Sequence, residues 1–391
     1  DTAFESLDLA FGLKNEDRRK EWISKWRNAT GIRDIELERV SKHKNLFKRD
    51  ITTLCNYNLI DYSKETYFRA LPSYEDGLKE SQRKALAYAL LKWAYGKGRA
   101  GSNKTGRIAS ECASKMSYHY NENCLTDTYT RMAQDFTGSH NMAYFTPEGQ
   151  LGSRHEGGND AGACRYTEID IAPWIKYVYD PDFLKVVKKR TSEGLDVEPE
   201  WLPSVIPMHI INGFKGIATA YSTYGPCHNP FDVIDWLRDK CNGNKPDPIK
   251  PWYNGFTGRI VVKKKGKQDE ESDSEEEKEE ASDEEGEDSE EEDEERKKRG
   301  VSKEESKEEK ARRKMNKIRK GKLGMTTYGV FEVEGDTITI TDLPIGIWVY
   351  NYRKWLEKLR EEGTITEMRE NSPDNKVYIV ITGFKEEANY K

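Results

Sequence analysis

Apolar residues recur at helical spacing through the first half of the chain and at alternate positions near its end. The stretch 81–95 (SQRKALAYALLKWAY) is rich in strong helix formers. Ile108, Cys112 and Met116 mark a second helix, and Leu125, Tyr129, Met132 and Phe136 a third. The polar segment YHYNEN joins these two. Two short helices with a tight polar connection predict a helix-turn-helix, whose second helix can enter a DNA major groove, although hairpins that bind nothing share the pattern. Asn229 and Pro230 open another helix: Asn caps it, Pro fits its first turn, Asp232 complements its dipole, and Val233, Trp236 and Leu237 form its apolar stripe. Later the period changes to two. Phe331 and Val333, then Ile338 and Ile340, flank Glu334-Gly335-Asp336 and predict a β-hairpin. KVYIVITGF (376–384) reads as a further strand, and 348–362 as an amphipathic helix stopped by Gly363. The pattern is α+β, helical first and mixed afterwards.

Residues 263–322 break it. Their only hydrophobes are Ala281, Val301, Ala311, Met315 and Ile318. Such a segment cannot offset its ordering entropy, and disorder over 263–322 is expected. Residues 269–295 carry 20 acidic residues against Lys278, while 296–322 carry 14 basic against 4 acidic. The formal net charge of -6 therefore belongs to this insert, and the remaining body is close to neutral. A solvated surface-loop insertion is the plain reading. The sharper one is a docking arm, with the acidic tract attracting histones or other basic proteins and the basic flanks touching phosphate or serving nuclear import. Ser272, Ser274, Ser282 and Ser289 sit among acids, where phosphorylation would deepen the charge.

The 391 residues are enough for two or three domains. No run approaches the roughly 18 apolar residues of a membrane span, and no signal peptide opens the chain, so a soluble protein is expected. Because the first residue is Asp, a piece of a longer polypeptide is expected too. The six cysteines form no C-x-x-C pair and stand near no compact His cluster, which argues against zinc and for reduced thiols.

The densest chemistry lies in TPEGQLGSRHEGGNDAGACRYTEIDIAP, residues 146–173. Glycines let backbone N–H groups approach a phosphate, and Arg154 and Arg165 can bind phosphate oxygens as rigid forks. Such a loop beside a helix-turn-helix points to a polyanion.

With GQLGSR, GGND and CRY in this order, the segment resembles the active-tyrosine region of type IIA DNA topoisomerases, eukaryotic topoisomerase II in particular, with its G-x-F-G-T-R, G-G-K-D and Arg-Tyr pattern. Other stretches resemble family motifs in order: EDRRKEW (16–22), LPSYEDGLKESQRKA (71–85), YHYNENCL (118–125), MAQDFTGSHN (132–141), VEPEWLPSVIPMHIINGFKGIATAYST (197–223), PWYNGFTGRI (251–260) and ITDLPIGIW (340–348). Nearly all of the chain outside the insert is covered.

The resemblance implies a winged-helix cleavage domain over 51–190 after a connector, 1–50, and a mixed α/β tower domain over 191–391 that carries the disordered insert. Tyr166 would be the nucleophile that forms a 5'-phosphotyrosyl link while a 3'-hydroxyl leaves. Arg165 would stabilise charge on the scissile phosphate, and His119 would relay a proton or contact phosphate. A phenol is a weak nucleophile at neutral pH, so a metal and cations must assist. Arg19, Lys20, Lys79, Arg83, Lys84, Tyr118, Cys124, Arg154 and Trp348 fall where the family meets DNA. Ile217 would wedge between base steps and bend the duplex, whereas sequence alone favours a core isoleucine. Asn159, Tyr120, Asn121, Cys124 and the GIATAYS run depart from the family pattern and point to a divergent member, a viral one among the options.

The E-G-D-S-A and D-x-D clusters of the family's metal-binding fold are not found in the chain, nor is a phosphate-binding loop for ATP or a long heptad segment. The resemblance places Mg²⁺ and ATP in domains outside it, so that this piece alone would bind DNA and cleave it poorly. The implied whole is a homodimeric, ATP-dependent type II topoisomerase acting on double-stranded DNA, in the nucleus or in a viral replication compartment or virion. The alternative is a DNA-bending scaffold that lost turnover and whose acidic insert binds chromatin proteins.

Overall fold

A computed structural model describes residues 2–12, 15–26, 38–41, 46–48, 50–94, 101–192, 194–264, 323–373 and 375–383. Helices α1 (Thr2–Phe11) and α2 (Glu16–Trp26) and the strand pair β1 (Glu38–Ser41) and β2 (Leu46–Lys48) open the chain. Helix α3 (Ile51–Thr53) runs through a π-helical turn, Leu54–Leu59, into α4 (Ile60–Ala70). Ala10, Trp22, Ile23, Cys55 and Ile60 pack these segments together in a small core.

The three helices expected from apolar periodicity are present: α5 (Glu80–Ala89), extended by a π-helical turn over Leu90–Ala94, α6 (Thr105–Lys115) and α7 (Glu122–Met132). Ile108 and Cys112 on α6, and Leu125, Tyr129 and Met132 on α7, are buried as their spacing predicts, whereas Met116 and Phe136, expected on the same helices, are buried just past their ends. Asn121 caps α7, its side chain accepting from the Asn123 amide at 2.9 Å. The asparagine that departs from the family pattern thus satisfies a helix end. Beside the helices lies a sheet of β3 (Asn103–Lys104), β4 (Phe145–Glu148) and β5 (Glu168–Ile171), with β5 central and both pairings antiparallel.

Short elements follow: α8 (Ile175–Val178), α9 (Pro181–Val186), β6 (Lys189–Ser192), β7 (Leu195–Pro199), α10 (Met208–Asn212), β8 (Phe214–Ala218), β9 (Tyr221–Gly225) and α11 (Pro230–Cys241). The cap expected at Asn229 is there. Leu202, Met208, Ile211 and Val233 enter the same core as Leu86, Ile108, Tyr129 and Ile169. Apolar side chains from both sides of residue 190 thus bury each other in one core.

Two compact units result, Asp1–Gly258 with Tyr328–Lys391, and Arg259–Thr327. In the second, β10 (Arg259–Lys264) and β11 (Leu323–Tyr328) pair as a two-stranded sheet. Lys263 and Lys264 are therefore strand residues, and the insert expected over 263–322 begins later. Its remaining residues, 265–322, lie outside the described ones.

The C-terminal stretch forms a four-stranded sheet in the order β12 (Val330–Glu334), β13 (Thr337–Asp342), β15 (Ile379–Thr382), β14 (Glu367–Glu370). The predicted hairpin has the register Val333 opposite Ile338, with Gly335 at φ +61° in the turn. Helix α12 (Val349–Glu361) covers one face, burying Val349 and Leu356 against Ile340, Ile379 and Ile381. Phe331 and Val333 remain 53% and 47% exposed, because β12 is an edge strand beyond the reach of this core.

Candidate nucleic-acid interface

Between β4 and β5 the glycine-rich loop is held from two sides. From α7's end, Gln134 donates to the carbonyls of Leu151 and Gly158 at 2.9 and 3.0 Å. Within the loop, Asp160 accepts from the Ser153 amide at 2.9 Å and from its hydroxyl at 2.5 Å. From the C-terminal segment, the Trp348 indole fills the space beside Gly157, where an added Cβ would stand 2.3 Å from the ring. Gly158 meets Gln134 equally closely. These two glycines, at φ +64° and +82°, are thus required by left-handed backbone and by close packing inside the protein. That differs from the phosphate approach expected of them.

The loop ends at Arg165 and Tyr166. One residue on, Thr167 is buried and bonded to Thr105: the Thr105 amide donates to the Thr167 carbonyl at 3.1 Å, and the two hydroxyls lie 3.0 Å apart. Tyr166 therefore stands in the turn just ahead of β5, beside this anchored threonine, and is 73% exposed. The Arg165 guanidinium lies over its ring, 4.9 Å from the centroid, a cation–π distance. A solvent-facing phenol with a forked cation on it is arranged to meet an anion from outside.

Upstream of Arg165, the loop and α7 enclose a polar cleft of about 460 Å³, lined by Asn123, Asp127 and Arg131 on the helix and by Asn159 and Cys164 on the loop. The six cysteines are free thiols, and burial pushes those of Cys112 and Cys227 up to about 12.

The expected DNA contacts divide sharply. Arg83 is buried, its Nε 2.6 Å from Asp76 Oδ2. Lys84 is buried on Glu198 at 2.7 Å and on the Met116 carbonyl at 2.8 Å. Arg154 is 3% exposed and paired with Asp342. All three sit in internal ion pairs, because a charge removed from water needs a partner inside the protein. Arg19 donates to the carbonyls of Leu9 and Gly12 at the end of α1, and Lys20 is paired with Asp17 on its own helix. Trp348 packs on Phe136 as well as on the loop and is only half-exposed.

Other residues face outward. Cys124 is exposed on the first turn of α7, and Tyr118 stands close enough to feel its field. Burial, then the fields of Cys124 and Glu80, push the Tyr118 hydroxyl up to about 12, which keeps it a donor. His119 is exposed, with Nε2 3.2 Å from Ser192 Oγ, and its described contacts do not reach Tyr166. Ile217 is 69% exposed, which excludes the core position that sequence alone favours. Its neighbour Gly216 is buried under Pro72, where a Cβ would stand 2.6 Å from Cδ, and strand alternation turns Ile217 outward.

Two cations were not anticipated. Lys79 lies in the positive field of Arg131 and Lys215, and burial first, then those fields, hold its ammonium below the usual lysine range. The fields of Arg131 and Lys215 thus reach Lys79, and overlapping cationic fields of this kind favour an anion. The signals were available: Arg131 lies off the buried stripe of α7, and Lys215 shares a strand face with Ile217.

Among the described residues, no helix is long and apolar enough to cross a membrane. Nor is any group of three or more His, Cys, Asp or Glu among them placed to hold a metal ion.

Comparison with known proteins matches residues 69–292 to the family model of the DNA gyrase/topoisomerase IV A-subunit. The chain is 34% identical over 274 residues to DNA topoisomerase 2 of Invertebrate iridescent virus 6, covering 68% of this chain and 23% of that protein. It is 27% identical over 382 residues to the mitochondrial DNA topoisomerase 2 of Dictyostelium discoideum, covering 97% and 24%. It thus spans about a quarter of these relatives. The crystal structure of the Plasmodium falciparum topoisomerase II DNA-binding, cleavage and re-ligation domain superposes with a TM-score of 0.70 at 27% identity, covering 98% of this chain and 43% of that one.

Proposed function

The chain belongs to the DNA gyrase/topoisomerase IV A-subunit family, and from that premise we propose that it is the DNA-binding and cleavage part of a type II DNA topoisomerase. Tyr166 attacks a backbone phosphorus: a bond forms from the phenol oxygen to phosphorus as the bond to the 3'-oxygen breaks. The leaving oxygen takes up a proton, and the 5'-phosphate stays on the tyrosine. Reversal reseals the strand. Arg165 stabilises the charge that grows on the phosphate. Lys79, Arg131 and Lys215 hold the flanking backbone, Tyr118 and Cys124 line its path, and Ile217 enters between base steps to bend the duplex. His119 contacts phosphate.

Helices α5 to α7 with the sheet of β3, β4 and β5 form a winged-helix domain in this reading, and the later strands a tower. Two copies cut the two strands, and a second duplex passes through the gap, relaxing or decatenating DNA. Mg²⁺ and ATP would be bound by parts of the longer relatives that this chain does not match. The nucleus, or the replication compartment of a virus, is the proposed site of action, on the strength of the eukaryotic and viral relatives.

One observation carries the proposal: an exposed tyrosine, in the turn just ahead of β5, with an arginine fork on its ring. Full-length protein should form denaturant-resistant DNA adducts, and Tyr166→Phe should form none. Adducts that persist in the variant would refute the assignment and favour a scaffold.

A further inference from the structure

The loop that ends in Tyr166 depends on a carboxylate far away in sequence. Asp342, 2% exposed, closes β13 and uses both oxygens. One takes the Arg154 guanidinium, which also donates to the Leu343 carbonyl at 3.0 Å. The other accepts from the Thr257 amide and hydroxyl, both at 2.8 Å. The same segment holds the next loop residues: the Tyr350 amide donates to the His155 carbonyl at 3.0 Å, and Trp348 fills the space beside Gly157. Residues 154–157 are thus bound to 342–350, while Gln134 fixes the loop at Leu151 and Gly158.

We infer that Asp342 is a positioning residue for DNA cleavage: through Arg154 it sets the path of the loop and so the placement of Arg165 and Tyr166. The inference rests on the reading of Tyr166 as the nucleophile. Its physical basis is the geometry of the pair. An aspartate with both oxygens occupied and a guanidinium whose donors point to two fixed acceptors admit one arrangement, whereas apolar contacts of the same volume admit several. A near-attack placement is sensitive to shifts of about 1 Å.

A merely structural ion pair and a positioning one give different results once folding is kept. Exchanging a buried pair for apolar residues of similar volume is often tolerated, so the test is Arg154→Met with Asp342→Leu in the full-length protein. Duplex affinity would be read by anisotropy and single-turnover adduct formation at saturating DNA by denaturing gel. We expect affinity within about twofold of wild type and adduct formation at least about tenfold slower. Thr257→Val, nearly isosteric, removes only the hydroxyl on Asp342 and should slow adducts about threefold, which keeps the test standing if the double variant loses its cooperative melt. Adduct formation at the wild-type rate in either folded variant overturns the inference. Adducts in Tyr166→Phe would sink the nucleophile reading separately, whatever Asp342 does.

Discussion

At the scale of single residues, burial sorts cations of one type into different tasks. Arg83 is paired with Asp76 inside the protein, whereas Arg131 is exposed and its field reaches the half-buried Lys79. Arg83→Ala should leave Asp76 buried and unpaired and cost about 3–5 kcal/mol, read as a fall in melting temperature. Arg131→Ala should leave stability within about 0.5 kcal/mol and reduce the slope of log affinity against log salt by about one. The reverse pattern would exchange their roles. The sequence placed Lys79, Arg83, Lys84 and Arg154 in a DNA-contacting region by motif and did not single out Arg131 or Lys215. It could not separate them, because the deciding partner is sometimes remote: Glu198 lies 114 positions from Lys84 and Asp342 lies 188 from Arg154.

At the scale of elements, local signals were read well and contacts between elements poorly. The helices of the first half, the cap at Asn229, the hairpin at Gly335 and the stop at Gly363 follow from side-chain periodicity and backbone preference, which act over a few residues. The glycine-rich loop shows the limit. Its glycines suggested phosphate, whereas Gly157 and Gly158 make room for Trp348 and Gln134. Gly157→Ala should drive a Cβ into the indole at a left-handed backbone position, costing roughly 1–3 kcal/mol. A calorimetric melt unchanged within error would show that the loop yields at this position. The exposure of Ile217 was equally hidden, since only the packing of Gly216 under Pro72 fixes which face of β8 is outward.

At the scale of the molecule, charge averages mislead. The net charge of -6 argues against a polyanion, yet the acidity belongs to residues 269–295, and the body gathers Lys79, Arg131 and Lys215 in one place. Strands β10 and β11 pair at the two ends of that insert. Deleting 268–296 should therefore leave the melt of the body within about 0.5 kcal/mol while abolishing pull-down of histones; undiminished pull-down would refute the docking reading. Sequence alone determined the helix and strand periods, the insert's composition and the ordered motifs around Tyr166, because each is written in neighbouring residues. Tertiary structure decided which cations are inside, which isoleucine is outside, that cores merge across residue 190, and that Asp342 holds the tyrosine loop. Those depend on pairings between distant parts of the chain, where burial makes a charge find a partner and packing leaves room for only one arrangement.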